Sequence, residues 1–186
     1  MIAGLILKDS IEEESQIAFM DEEVKTFSVN ENSELVELIK EYEPELVAAN
    51  VGLEQGKEEL TKQEQELQDE GFIFTPNSHR EKVVKRLETL KAQIVHQTGL
   101  QPEFIRFEPQ ISAEELAIDG DRALESYGVD SSDIDSVEAF DAVVGAVTAR
   151  FYQENQHWDL GVVVPEAVRE KDGTESEKEL DPRAEE

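Results

Sequence analysis

Acidic side chains outnumber basic ones by 45 to 17, a formal net charge of −28, and the excess runs the whole length of the chain. That imbalance constrains the fold before anything else does. Whatever core the chain builds must sit inside a shell of carboxylates that repel one another. Intrinsic disorder is one outcome of such a composition. Apolar segments with strand and helix periods recur over most of the 186 residues and argue against it. A local acidic tail fails as an explanation, because the acids are spread throughout. The remaining reading is a folded protein with an acidic surface, as in salt-adapted organisms, where the screening length falls to about 3 Å at 1 M salt and self-repulsion is tolerable.

The length suits one domain with a hydrophobic core. No cysteine is present, so disulfides and thiolate metal sites are excluded. The opening Met1 to Leu7 lacks the basic region of a signal peptide, and no apolar stretch approaches the roughly 20 residues that span a bilayer. The expectation is a soluble, cytoplasmic protein without a membrane partner.

Ile2 to Leu7 reads as a buried central strand, and Ser15 to Met20 with Val24 to Val29 as a hairpin turning at Asp21-Glu22-Glu23. A helix follows, capped by Asn30 or Asn32 and closed by Pro44, with Leu35, Val36, Leu38 and Ile39 on its apolar face. Leu46 to Ala49 is the next strand, so this helix makes a crossover between parallel strands. Gly56 to Glu70 reads as an exposed helix or a mobile insertion, and Phe72-Ile73-Phe74 as a return to the core. Ser78 to Gln97 is a helix stopped by Gly99, and Phe104 to Phe107 a strand. A capping box of Ser112 and Glu115 opens a short helix to Ile118, and 120–135 is loop-like. Ser136 to Tyr152 is a helix rich in Ala and Gly, Gly161 to Pro165 a last strand, and 169–186 a disordered acidic tail after a domain spanning 1–168.

This order predicts an α/β fold of the ribonuclease H-like kind: a mixed five- or six-stranded sheet with its first strand beside its fourth, and helices on both faces. Local motifs point the same way: Gly4-Leu5-Ile6, Asn50-Val51-Gly52-Leu53, Ile105-Arg106-Phe107-Glu108-Pro109, Asp141-Ala142 backed by Ala146 and Ala149, and Gly161 to Pro165. In this the chain resembles a family of prokaryotic predicted nucleases with a ribonuclease H-like fold. The resemblance implies metal-dependent nuclease chemistry, in which clustered carboxylates hold two divalent metals about 3.5–4 Å apart, magnesium or manganese by ligand type.

Against that pattern the chain departs at the acids. The resemblance puts Ile6 where the family carries a first-strand Asp, Asn50 where it carries a fourth-strand Asp, and Arg106 where it carries a Glu. An apolar side chain binds no metal, an amide brings no charge, and a guanidinium repels a cation. Asp141 alone remains as a catalytic candidate, with Ile6, Asn50 and Arg106 as a vestigial site. A slip of the fifth strand would offer Glu108 instead, displaced by roughly 6–7 Å along the sheet.

Other chemistry is poorly supported. His79, His96 and His157 have no metal-ligand spacing, no serine sits in a nucleophile-elbow motif, and no phosphate-binding glycine loop occurs. Asp130, Asp133 and Asp135 lack the rest of a calcium loop. Trp158 reads as a packing anchor. Arg80, Lys82, Lys85 and Arg86 cluster in one helix, with the last three on one face. They are a candidate nucleic-acid contact whose plain alternative is pairing with Glu81, Glu88 and nearby acids.

Three functional expectations result. The leading one is a degenerate, metal-free member of the nuclease-like class acting as a binding or interaction module, with no cofactor. The second is an active magnesium- or manganese-dependent nuclease acting on nucleic acid. The third is a structural protein that self-associates through the small-residue helix around Gly145. The charge excess yields a prediction common to all three. The thermal unfolding midpoint, followed by circular dichroism, should climb as KCl is raised from dilute buffer to molar concentration. A midpoint indifferent to salt would contradict the reading of the surface.

Overall fold

The computed structural model describes residues 1–52, 60–132 and 134–166. Three antiparallel strands open it: β1 (Ile2–Ile6), β2 (Ser15–Met20) and β3 (Val24–Val29). Helix α1 (Asn32–Tyr42) crosses to β4 (Leu46–Ala49), which pairs parallel with β1. Next come α2 (Lys62–Asp69), α3 (Glu81–Thr98) and β5 (Glu103–Arg106), the last parallel to β4. Helices α4 (Pro109–Glu115), α5 (Asp121–Leu124) and α6 (Val137–Gln153) follow, and a hairpin of β6 (His157–Asp159) and β7 (Val163–Pro165) ends the described residues.

The main sheet has the order β3-β2-β1-β4-β5, the mixed arrangement expected with β1 beside β4. It has five strands, because the segment ending at Pro165 pairs only with β6, in a separate two-stranded sheet. Alternation along the strands divides the core between two faces. Ala3, Leu5 and Leu7 of the first strand segment join Val47, Ala49, Leu35, Ile39, Leu87 and Leu90 beneath α1 and α3. Ile2, Ile6, Ala18 and Ala48 face α6 with Val143, Ala146 and Val147. No described helix is long and apolar enough to cross a membrane.

Helix α6 lies against the sheet at backbone distance. A Cβ on Gly4 would fall on the Ala142 carbonyl and the Ala146 amide, and one on Gly145 would meet the Phe107 ring at 2.5 Å. The small residues of α6 are therefore buried against β1, and the expectation that they form a self-association face is corrected.

Several local expectations change with the coordinates. The α1 terminus is closed by the Glu34 carboxylate, which accepts from the amides of Asn30 and Glu31 at 2.9 Å, while Asn32 is already helical. Helix α4 begins at Pro109, and Ser112 is a buried interior residue of it. Proline at the first helical position is a start signal. Helix α3 starts at Glu81, after a 3-10 turn over Asn77–His79. Leu67 and Glu64 of α2 are buried, so that helix is not an exposed appendage. Phe72 and Phe74 pack against Leu67, Ile111 and Val164, but Ile73 is 84% exposed. Trp158 is 45% exposed on β6 and anchors no core. Residues 53–59 of the insertion, Asp133 and the expected tail 169–186 lie outside the described residues.

The close contact of α6 with β1 makes Gly4 irreplaceable. Gly4→Ala should lower the unfolding free energy by about 3 kcal/mol or more, since the clash is with backbone. Gly120→Ala, whose Cβ meets open space, should change it little. Chemical denaturation at high salt measures both.

Candidate functional site

The carboxyl ends of the parallel strands β1 and β4 open together against the first turns of α6 and the start of α4, the place where open α/β sheets form crevices. A cleft of about 340 Å³ lies there. Ile6 and Lys8 come from β1 and its extension, Asn50 from the end of β4, Glu108 from the residue before α4, Arg80 from the start of α3, and Glu138 and Asp141 from α6. Ile73, Phe74 and Val137 form its apolar rim.

Asn50 ties the two central strands together. Its backbone amide donates to Leu5 at 3.0 Å, its Oδ1 accepts from the Leu7 amide at 2.9 Å, and its Nδ2 donates to the Leu7 carbonyl at 3.4 Å. The side chain thereby extends the β1–β4 ladder past Leu5 and Ala49.

Glu108 is 4% exposed and lies between two guanidiniums. Arg106 Nη2 donates to it at 2.9 Å, and both terminal nitrogens of Arg80 approach it at 3.4 Å. Arg80 also donates to the Asn50 carbonyl. Arg106 in turn donates through Nη1 to Glu64 of α2 at 2.8 Å, a buried pair, and through Nη2 to the Thr75 carbonyl at 3.4 Å. Burial pushes the Glu108 carboxyl above the usual range, and the Arg80 and Arg106 charges oppose that rise.

On the other wall, Lys8 Nζ sits 3.1 Å from Glu138 Oε1. Glu138 is held below the usual carboxylate range by its own backbone amide at the helix start and by Lys8. Asp141 lies one turn further along and is half-buried. Among the described residues nothing donates a hydrogen bond to it. Its pKa is pushed from 3.8 up to about 6, by burial first and by the Glu138 charge second, with Lys8 opposing.

Ile6, Asn50 and Asp141 thus line one cleft. Arg106 does not line it. It stands behind Glu108, and Glu108 forms that wall. Lys8 and Glu138 were missed, although both were readable. Lys8 is two residues past Ile6 on the same face of the extended chain, and Glu138 is three residues before Asp141 on its helix.

Of the four basic residues expected to form a contact on α3, two donate inward. Arg80 turns into the cleft. Arg86 folds onto the loops beneath, donating to Asn32 Oδ1 at 2.9 Å and to the carbonyls of Lys8 at 3.0 Å, Ser10 at 3.2 Å and Asn30. Lys85 pairs with Glu81 at 2.7 Å, the local pairing weighed against nucleic-acid contact, and only Lys82 and Lys85 of the four stay exposed.

Two solved structures share this architecture. T. thermophilus RuvC in complex with Holliday junction substrate aligns with a TM-score of 0.54 at 15% identity, over 88% of this chain and 98% of that one. A second Thermus thermophilus RuvC structure aligns with a TM-score of 0.50 at 14% identity over the same shares. The fold is ribonuclease H-like. No family model and no curated protein matches the chain.

The raised Asp141 pKa carries a sign. Below 3.8 the folded and unfolded chains both hold the proton, and burial of the group costs nothing. As pH rises through about 6 the folded chain must ionise Asp141 against burial and Glu138, so stability is lost across that window. Asp141→Asn should therefore be more stable than the parent above about 6 and equal to it below 3.8. Urea melts across pH check this. In a carboxyl NMR titration, Glu138→Gln should lower the Asp141 midpoint and Lys8→Met should raise it.

Proposed function

We propose that this chain is a salt-adapted relative of the prokaryotic predicted nucleases in which internal ion pairs have replaced the metal centre. It acts as a binding module without nuclease activity. The fold implies a pair of divalent metals held by converging carboxylates, and the residues of this cleft do not fit that group. The observation that carries the reading is the pairing of the acids. Glu108 is held by Arg80 and Arg106, and Glu138 by Lys8. Among the described residues no group of three or more His, Cys, Asp or Glu side chains is placed to hold a metal ion. A divalent cation entering the cleft would meet two resident cations, Lys8 and Arg80, a consumed carboxamide at Asn50 and the apolar Ile6.

An active magnesium- or manganese-dependent nuclease is the second reading. One feature favours it: Glu138 and Asp141 stand one helical turn apart at the cleft, on the helix that ends the main fold. The neighbouring RuvC structure holds a Holliday junction substrate. For this chain a nucleic-acid contact through α3 would rest on Lys82 and Lys85, since Arg80 and Arg86 donate inward.

Titration with magnesium and then manganese separates the readings. The Asp141 and Glu138 carboxyl resonances should stay unmoved at millimolar metal, and branched and duplex DNA should remain uncut. Saturable shifts of both resonances together with cleavage would establish the nuclease.

A further inference from the structure

A second concavity adjoins the cleft and shares only Val137 with it. It lies between the α4–α5 connection and the first turn of α6 and has a volume of about 550 Å³. Ile118, Ile134, Val137 and Phe140 form its apolar floor, and Asp119, Asp121 and Asp135 its rim. The three aspartates are exposed, and no basic residue lines the groove. Val137 is 72% exposed at the first position of α6, whereas Val143, Val144 and Val147 of the same helix are wholly buried. A lone exposed valine is ordinary. One that continues an apolar floor ringed by carboxylates is a complementary surface.

We infer that this groove docks a basic amphipathic segment of a partner protein. The segment's apolar side chains would seat on Ile118, Ile134, Val137 and Phe140, and its lysines or arginines would face Asp119, Asp121 and Asp135. Charge decides among the candidate occupants. A second copy of this chain brings its own carboxylate-rich surface, and the chain's own residues 167–186 are net acidic, so neither offers the cations that Asp119, Asp121 and Asp135 would pair with, and like charges at contact distance repel. A nucleic-acid strand meets the same repulsion with no cation on the groove wall. A cationic, apolar-faced segment satisfies both halves of the lining. The inference rests on the groove lining and not on the chemistry of the cleft, with which it shares Val137.

The test uses the full chain in KCl sufficient to keep it folded. The probe is a fluorescein-labelled Leu/Lys amphipathic helical peptide, followed by anisotropy and by amide chemical shifts. Saturable binding is expected, with shifts confined to residues 118–121 and 134–140. Val137→Asp should weaken it about tenfold, the loss of one apolar contact. Ile11→Asp, on another exposed apolar residue outside the groove, should leave it unchanged. Asp119→Asn with Asp121→Asn should weaken binding and flatten its salt dependence. Three results would overturn the proposal: equal binding of a Leu/Glu peptide with the same apolar spacing, identical affinities for Val137→Asp and Ile11→Asp, or shifts in the groove caused by duplex DNA that displaces the peptide.

Discussion

The seating of α6 on β1 positions everything else of interest in this molecule. Gly4 and Gly145 lie face to face with the Phe107 ring against Gly145, so helix and strand approach as closely as backbones allow. Had either residue carried a side chain, the helix would ride higher and Asp141 would stand away from Ile6 and Asn50. The contact also explains why α6 is apolar on nearly every side. It covers β1, β2 and β4 together, and Ala142, Val143, Ala146, Val147 and Ala149 are all fully buried. The height of one helix over one strand thus sets the depth of the cleft and the burial that raises the Asp141 pKa.

The second constraint is electrostatic. A buried ion pair gains little net stability over an apolar replacement of the same shape, but breaking one leaves a charge stranded. In this fold such pairs act as fasteners between distant segments. Arg106 joins β5 to α2 through Glu64, 42 residues away, and Glu108 joins that same arginine to Arg80 at the head of α3. Arg86 fastens α3 to the β1–β2 and β3–α1 connections with one guanidinium. The cations therefore hold the walls of the cleft in place, where a metal site would need only carboxylates.

The legible parts of the sequence are those with a period. β1 to β4 and the helices α1, α3 and α6 carry apolar repeats long enough to set their faces, and the β1–β4 neighbourhood followed from the crossover between them. Elements without a period were not legible. β6 and β7 are three residues each, α4 announces itself only through Pro109, and the burial of Glu64 depends on a partner remote in the sequence. The site shows the same division. Ile6, Asn50 and Asp141 sit at ends of periodic elements and could be brought together on paper. Arg106 and Glu108 could not be told apart, because two residues along an extended chain share a face and only the turn into α4 decides which one reaches the cleft.

The acidic exterior and the inward-turned guanidiniums are two aspects of one distribution. With 17 basic residues against 45 acids, cations are scarce. Salt screens an exposed pair such as Lys85–Glu81 almost completely, and such pairs contribute little in any case. It screens buried pairs far less. Arg80, Arg86, Arg106 and Arg150 accordingly donate to groups of the fold itself, Arg150 to the Tyr127 carbonyl at 2.7 Å. Placing guanidiniums inside keeps their contribution nearly independent of ionic strength and leaves the surface to carboxylates. Carried to the cleft, that distribution sets Arg80 and Lys8 on its walls and Arg106 behind Glu108. Glu108 and Glu138 are thereby paired within the fold, while Asp141 beside them accepts from no donor among the described residues.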